Sequence, residues 1–497
     1  MNLLQKQGFY NSVILYAGTG LGFLNLIILF QRILTKEEIG FYALMIAISG
    51  LYAQIASLGI NGVIIRYFPM FRTEDKSHKG FITLVVVWSI LGFLAFTLPF
   101  VLFKGFVMRY YEDKAGAGLM VEHYYYLIPI SFLTLMFMVL ESLARTVFKN
   151  VFSAFLKEFL LRLMTSLTVL MMAVSILDYD GFLTAYLIGN ALIVLLLWYN
   201  VAKGGYFKMT QIDPEILGRK KELLNYGLFS VISGGSFGLV QHMAILMLSV
   251  LASQSLELVG IYGTFFGIAV FISLPAKALG RTSYQIVSEA WAKLDLKKID
   301  RIYKKTSLVQ FIIGSLLLIG MIINYDHILF LMHRPEYKQY FWVFVIVGFT
   351  FLVDITGGLN GQIINFSKYY RYTTFLITIA VFVCAFLNWL LIPHFGLLGA
   401  AISYLIVMLS LNFLYWLFIK IKFKLQPFGF KYLVVIFISA ITLIIGLYIP
   451  VFDAVLVDII VRSGVAALVF ATLILALKVS EDITALFYNI VGKIKLR

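Results

Sequence analysis

Apolar runs of about 20 residues recur along nearly the whole of this 497-residue chain. That length is what an α-helix needs to cross the hydrocarbon of a bilayer, where every backbone N–H and C=O must find its partner inside the segment. Fourteen such runs are read, at 11–31, 38–65, 80–103, 122–144, 152–176, 181–202, 222–250, 256–277, 306–325, 339–360, 371–392, 396–419, 430–450 and 455–477. They are unbroken and not alternating, which excludes a β-barrel. Hydrophobic residues make up 61% of the chain and charged residues 13%, against about 45–50% and 25% in soluble domains. A soluble enzyme, a disordered chain and a fibrous repeat are excluded. The expected fold class is an all-α polytopic membrane protein with about 14 transmembrane helices.

Lys and Arg number 40 against 25 Asp and Glu, a net charge of +15. In a membrane protein the first use of such an excess is orientation, because basic residues collect on the cytoplasmic side. With fourteen spans, 32 of the 40 basic residues fall on the side of the N-terminus and 8 on the other. Both termini are therefore expected to be cytoplasmic. Topology accounts for most of the excess, and no nucleic-acid partner is expected. The first run, 11–31, lacks the short apolar core and small-residue cleavage site of a secretory signal, and is expected to be a span. The longest cytoplasmic stretch, 281–305, carries Ile286, Ala290, Leu294 and Ile302 near helical spacing. It is expected to be one amphipathic helix on the anionic inner leaflet. The outer loops around 104–121 and 325–341 are too short to build a catalytic domain.

The sequence carries an internal repeat. Ile39-Gly40-Phe41-Tyr42 matches Val259-Gly260-Ile261-Tyr262, and the segment from Gly181 to Ile188 matches Gly399 to Ile406. The offsets, 220 and 218, are nearly equal and relate equivalent spans, two with eight and six with twelve. The implied unit has six helices. Six is even, so the two copies share one orientation, like the parallel repeats of carriers. The expected organisation is an N-lobe at 1–202, a basic cytoplasmic linker at 203–221, a C-lobe at 222–420, and two further spans with a tail at 421–497. Rocking of one lobe against the other would expose a cavity to each side in turn.

Ionisable residues inside spans are expensive and are read as functional candidates. The basic set is Arg66, Arg145, Lys149, Lys157, Arg162, Lys277 and Arg281. Guanidinium groups pair phosphate through a planar fork, so a cationic cavity suits a phosphate-bearing substrate and repels a cationic drug. Snorkelling to the inner interface is the alternative use of these residues. Glu141 and Asp354 are the acidic candidates for ion coupling. Glu141 is placed to pair with Arg145 one turn on, whereas Asp354 has no basic residue within a turn. His242 sits in span seven and is read as a packing residue or a titrating group. The single cysteine, Cys384, forms no internal disulfide. No HExxH, CxxC, GxGxxG or Walker-type run is present, so no catalytic residue, metal or cofactor is expected and the chain is not read as an enzyme.

The fourteen spans, the two six-helix lobes, the basic interior and the segment from Leu34 to Pro69, LTKEEIGFYALMIAISGLYAQIASLGINGVIIRYFP, together resemble the polysaccharide flippase family. These are the O-antigen and capsule repeat-unit flippases of the multidrug/oligosaccharidyl-lipid/polysaccharide exporter superfamily. The resemblance covers essentially the whole chain. It implies translocation of a polyprenyl-(pyro)phosphate-linked oligosaccharide across the bacterial inner (cytoplasmic) membrane by alternating access. It also implies membrane lipids and, in polysaccharide assembly, polymerase and chain-length proteins as partners. By position, Arg66, Arg145 and Lys149 match the family's basic residues. Span one carries no basic residue before Arg32, unlike the lipid II flippase branch. A cation-coupled drug exporter of the same superfamily and a membrane-embedded glycan polymerase or ligase are the alternatives.

Overall fold

The computed structural model describes residues 3–112, 118–147, 150–252 and 255–484, and these form helices joined by connecting stretches, with no strand among them. The helices of eight residues or more are α1 (Leu3–Leu24), α2 (Lys36–Ala56), α3 (Ile60–Phe71), α4 (Phe81–Leu102), α5 (Lys104–Glu112), α6 (Leu127–Thr146), α7 (Leu161–Ala173), α8 (Tyr179–Lys203) and α9 (Lys220–Leu251). They continue as α10 (Ser255–Ala269), α11 (Leu274–Ala292), α12 (Leu296–Ile323), α13 (Tyr325–Met332), α14 (Phe341–Thr356), α15 (Tyr370–Phe423), α16 (Phe430–Tyr448) and α17 (Val455–Ala476).

Among the described residues, 11 helices are long and apolar enough to cross a membrane, and α9 makes a twelfth if its 53° bend between Lys220–Ile232 and Phe237–Leu251 lies within one span. Two differences from the expected fourteen have physical reasons. As one straight rod, α15 would be about 80 Å long, more than twice the hydrocarbon thickness. Its backbone leaves helical geometry at Gly396 (φ 54°, ψ −128°), three residues after Pro393. It thus holds both expected runs, 371–392 and 396–419. The expected run 152–176 is helical over 150–173, but Lys157, Glu158 and Arg162 make it less apolar than the others. The single amphipathic helix expected at 281–305 is corrected: the chain turns at Leu294 (φ 53°). Asp295 then caps α12, its side chain accepting from the Lys298 N–H at 2.9 Å.

Packing divides the chain into two compact units, residues 1–264 with 377–400, and 265–376 with 401–497. This is a division by contact, distinct from the division by repeat drawn above.

In the first unit, α2 begins at a reciprocal cap. Thr35 Oγ1 accepts from the Glu38 N–H (3.2 Å) and Glu38 Oε2 accepts from the Thr35 N–H (2.7 Å), an arrangement worth about 1 kcal/mol. One turn later comes the repeated motif, and its two copies meet. A Cβ added to Gly40 would lie 1.8 Å from the Leu256 carbonyl oxygen and 3.1 Å from the Gly260 nitrogen. One added to Gly260 would lie 2.3 Å from the Lys36 carbonyl oxygen and 3.0 Å from the Gly40 nitrogen. Such reciprocity is what a two-fold relation demands. Lys36 and Glu257 close the contact as an ion pair at 2.8 Å.

The expected linker does not hang free. His78 is buried, lies 3.2 Å from the Gly205 carbonyl through Nε2, and accepts from the Thr73 N–H through Nδ1 at 3.2 Å. Thr210 donates its N–H to Thr83 Oγ1 (3.0 Å), and Asp213 donates its N–H to the Lys79 carbonyl (2.9 Å). The extended stretch after α8 is thereby strapped to the loop between α3 and α4 and to the first turn of α4.

In the second unit, α12 is the central helix, packing on α11, α14, α16 and α17. Ile312, Ile319 and Ile323 of α12 form one apolar cluster with Val435, Ile438, Ala466 and Phe470.

Candidate substrate-binding site

In the first unit Lys157 and Arg162 stand where two helices are locally underwound. The helix begun by α1 contains a π-turn at Asn25–Leu29, and the helix leading into α7 contains one at Phe155–Leu160. Each π-turn carries one residue more than an α-turn and is common at functional sites. Arg162 joins the two. Its Nη1 donates to the Gly18 carbonyl (2.8 Å) and its Nη2 to Glu158 Oε2 (2.8 Å). Asn25 Nδ2 returns a bond to the Arg162 carbonyl (3.0 Å), and Ser166 Oγ lies 2.6 Å from Asn25 Oδ1. The helices approach so closely that a Cβ at Gly18 would lie 2.1 Å from the Glu158 carbonyl oxygen. Arg162 is thus a clamp whose guanidinium uses two of its five donors on protein, while its side chain stays 35% exposed.

Arg162→Met removes both bonds and leaves the Glu158 carboxylate without its cation. The expected result is a loss of about 1–3 kcal/mol of stability, read as a lower midpoint in thermal unfolding of the detergent-solubilised protein. An unchanged midpoint would show that the clamp contributes nothing.

The other cationic candidates of this unit have local partners. Arg145 pairs with Glu141 at 2.8 Å across one helical turn and is 57% exposed. Lys157 Nζ stands 5.6 Å from the Phe137 ring centroid. Arg66 lies over the Tyr226 ring at 4.5 Å and the Tyr67 ring at 5.4 Å, a cation–π arrangement that leaves its charge exposed. Tyr67 donates to Glu222 Oε1 at 2.8 Å. Lys149 lies outside the described residues.

In the second unit, Asp354 is half-buried on α14. It lies against Asn412 and within electrostatic reach of Lys277 and of the Tyr284 and Tyr415 phenols. The Tyr284 hydroxyl accepts from Gln362 Nε2 at 3.0 Å, and burial, helped by Asp354, pushes this phenol up. Asn360 Nδ2 donates to Asn412 Oδ1 at 2.8 Å. Arg281 lies in α11, and its side chain lies outside the described residues.

Beside this polar group opens a cavity of about 610 Å³, within the usual range for ligand pockets. Its walls are apolar: Phe311, Leu318 and Ile322 from α12, Phe349 and Leu352 from α14, Leu409, Phe413 and Trp416 from α15, and Ile436, Ala440 and Leu443 from α16. Four of its polar residues cluster at one level: Tyr303 near the start of α12, Thr356 and Asn360 at and just past the end of α14, and Asn412 on α15, a level marked by Ser307 Oγ donating to the Thr356 carbonyl at 2.5 Å, while Ser315 and Ser439 lie further along the walls. The Tyr303 side chain is fully buried, and its hydroxyl has no hydrogen-bond partner among the described residues. A buried donor left unsatisfied is costly, and a polar group of an occupant would satisfy it.

Sequence reading missed Tyr303, Asn360 and Asn412 because it searched the spans for charges only. Asn360 and Asn412 stand as lone amides in apolar runs, and that signal was available.

No protein-family model matches the chain, and no curated protein sequence matches it. Solved structures do. An inward-facing MATE family multidrug-resistance transporter of the MOP superfamily superposes with a TM-score of 0.66 at 14% identity, over 83% of this chain and 94% of that one. The lipid II flippase MurJ, in an inward closed conformation, superposes with a TM-score of 0.65 at 13% identity, over 97% of this chain and 99% of that one. A Vibrio cholerae MATE transporter superposes with a TM-score of 0.58 at 14% identity, over 85% and 97%. The chain shares their fold.

Proposed function

We propose that the chain is a carrier that moves a polyprenyl-(pyro)phosphate-linked oligosaccharide across a membrane by alternating access. The observation that carries this reading is the apolar cavity between α12, α14, α15 and α16, with Tyr303, Thr356, Asn360 and Asn412 among its lining residues. A long hydrocarbon tail fits such a space, and the hydroxyl and amides suit the polar group that follows the tail. The exposed cations Arg66, Arg145 and Lys157 and the free donors of Arg162 then serve phosphate and sugar, with Lys277 and Arg281 as their counterparts in the second unit. The likeness to a lipid flippase over 97% of this chain agrees with it. In this reading the protein sits in a bacterial inner membrane with cytoplasmic termini and meets polysaccharide-assembly proteins there.

A second reading, a cation-coupled drug exporter, is favoured by one observation. Asp354 stands among phenols and amides, a setting that suits exchange of a proton or cation. The two readings separate in proteoliposomes. Wild type is expected to transfer a lipid-linked oligosaccharide and Arg145→Ala to lose about tenfold or more in rate. Asp354→Asn is expected to lose as much only when an ion gradient drives transfer. Export of a cationic dye with no transfer of the lipid-linked substrate would decide for the drug exporter.

A further inference from the structure

The wall of the cavity made by α16 packs one face, through Val435 and Ile438, on α12 and α17, and is anchored at its two ends by polar contacts and a close backbone approach. At the polar end, the Tyr432 hydroxyl donates to Ser307 Oγ at 2.7 Å, and the Tyr432 ring stacks on Phe311 with centroids 5.3 Å apart. At the other end α16 approaches α12 so closely that a Cβ at Gly446 would lie 2.9 Å from Ile323 Cγ2. Between these points Ile436, Ala440 and Leu443 face the cavity, and buried Ser439 Oγ finds no partner among the described residues.

The second attachment is made by charges buried in the protein. Arg462 on α17 is 5% exposed and Asp458, one turn before it, is 0% exposed. Arg462 Nη1 donates to the Gly446 carbonyl (2.9 Å) in the last turn of α16 and Nη2 to the Ile449 carbonyl (3.2 Å) just past its end. Nη2 also reaches both Asp458 oxygens at 3.3 Å. His327 on α13 brings Nε2 to 2.5 Å from Asp458 Oδ2, and Asn324 Nδ2 donates to Ser463 Oγ at 3.0 Å. Buried charges within a membrane protein are retained at a cost in stability and mark function. None of these groups lines the cavity, so their role toward an occupant is indirect.

We propose that His327, Asp458 and Arg462 form a clasp that holds the far end of α16 in place, and that the clasp decides how long an apolar chain the cavity retains. The three are positioning residues that act through α16. The length role rests on the tail reading given above. The clasp itself does not.

Two measurements on the full chain in proteoliposomes test it. The first is the spin-label distance between Phe330→Cys on α13 and Leu447→Cys on α16, in a Cys384→Ala background. The wild-type distribution is expected to be narrow. Arg462→Met is expected to broaden it, and His327→Gln, which keeps a donor for Asp458, to leave it narrow. The second is transfer of lipid-linked oligosaccharides with a long and a short polyprenyl tail. Arg462→Met is expected to raise KM for the long tail about tenfold with kcat within about twofold, and to leave the short tail unchanged. Arg462→Lys is expected to recover part of the long-tail KM. A narrow distribution in Arg462→Met overturns the clasp. A broadened distribution with equal loss for both tails overturns its role in length. Transfer of neither tail by wild type overturns the tail reading, and a broadened distribution in Arg462→Met then still supports the clasp.

Discussion

Ala440→Trp is expected to abolish transfer of a long-tailed substrate while the protein stays folded. Ala440 lines the apolar cavity from α16, with no polar partner to lose. An indole there occupies space that the fold leaves empty, so packing elsewhere is undisturbed. The cost falls on whatever the cavity must hold. For a tail that can no longer enter, a drop of at least about a hundredfold in kcat/KM is expected, equivalent to roughly 2.7 kcal/mol. Initial rates with long- and short-tailed substrates, beside size-exclusion profiles of the variant, make the measurement. Undiminished long-tail transfer by a folded Ala440→Trp protein would remove the cavity from the mechanism.

Gly40→Val is expected to have the largest effect on folding. The new Cβ alone would lie 1.8 Å from the Leu256 carbonyl oxygen, and two helix backbones have no rotamer with which to yield. Overpacking typically costs about 1–3 kcal/mol, and here both backbones must separate, so a loss of at least about 3 kcal/mol is expected. Gly50→Val on the same helix supplies the control, because nothing lies within 4 Å of a Cβ at Gly50. Loss of folded protein for Gly40→Val but not for Gly50→Val, read by fluorescence size exclusion, is the expected pattern. Equal recovery of both would mean that the glycine contact is dispensable.

The two variants mark what sequence reveals and what it withholds. Spans were legible because hydrocarbon enforces them: an apolar run of sufficient length has no other way to satisfy its backbone. Repeat arithmetic placed Gly40 and Gly260 in equivalent positions, yet it carried no sign that they touch, since contact is a property of two helices and the motif belongs to one. Arg145 with Glu141 was legible from spacing along one helix. Arg162 with Glu158 obeys the same spacing, but its second partner, the Gly18 carbonyl, belongs to a helix 144 residues away. The π-turns at Asn25–Leu29 and Phe155–Leu160 left no mark in composition. The failed reading at 281–305 came from trusting apolar spacing over Asp295, whose type and place announce a helix start.

The clasp residues were hidden for a different reason. Arg462 and Asp458 stand close to the outer end of the run 455–477, and Arg462 is one of the 8 basic residues counted on that side. Both are buried in the structure. A charge near the end of an apolar run reads as a loop residue unless its partners are known, and here the partners include carbonyls at the end of α16.

The glycine contact also orders events in time. Gly260 is made 220 residues after Gly40, so at about 5–20 residues per second the ribosome needs roughly 10–45 seconds to deliver the partner. Throughout that interval α2 stands in the membrane with a backbone surface matched to a helix not yet synthesised. Whatever covers it must be weakly held, for the arriving α10 has to displace it. Maturation of this chain is therefore expected to depend on how fast its second half is translated.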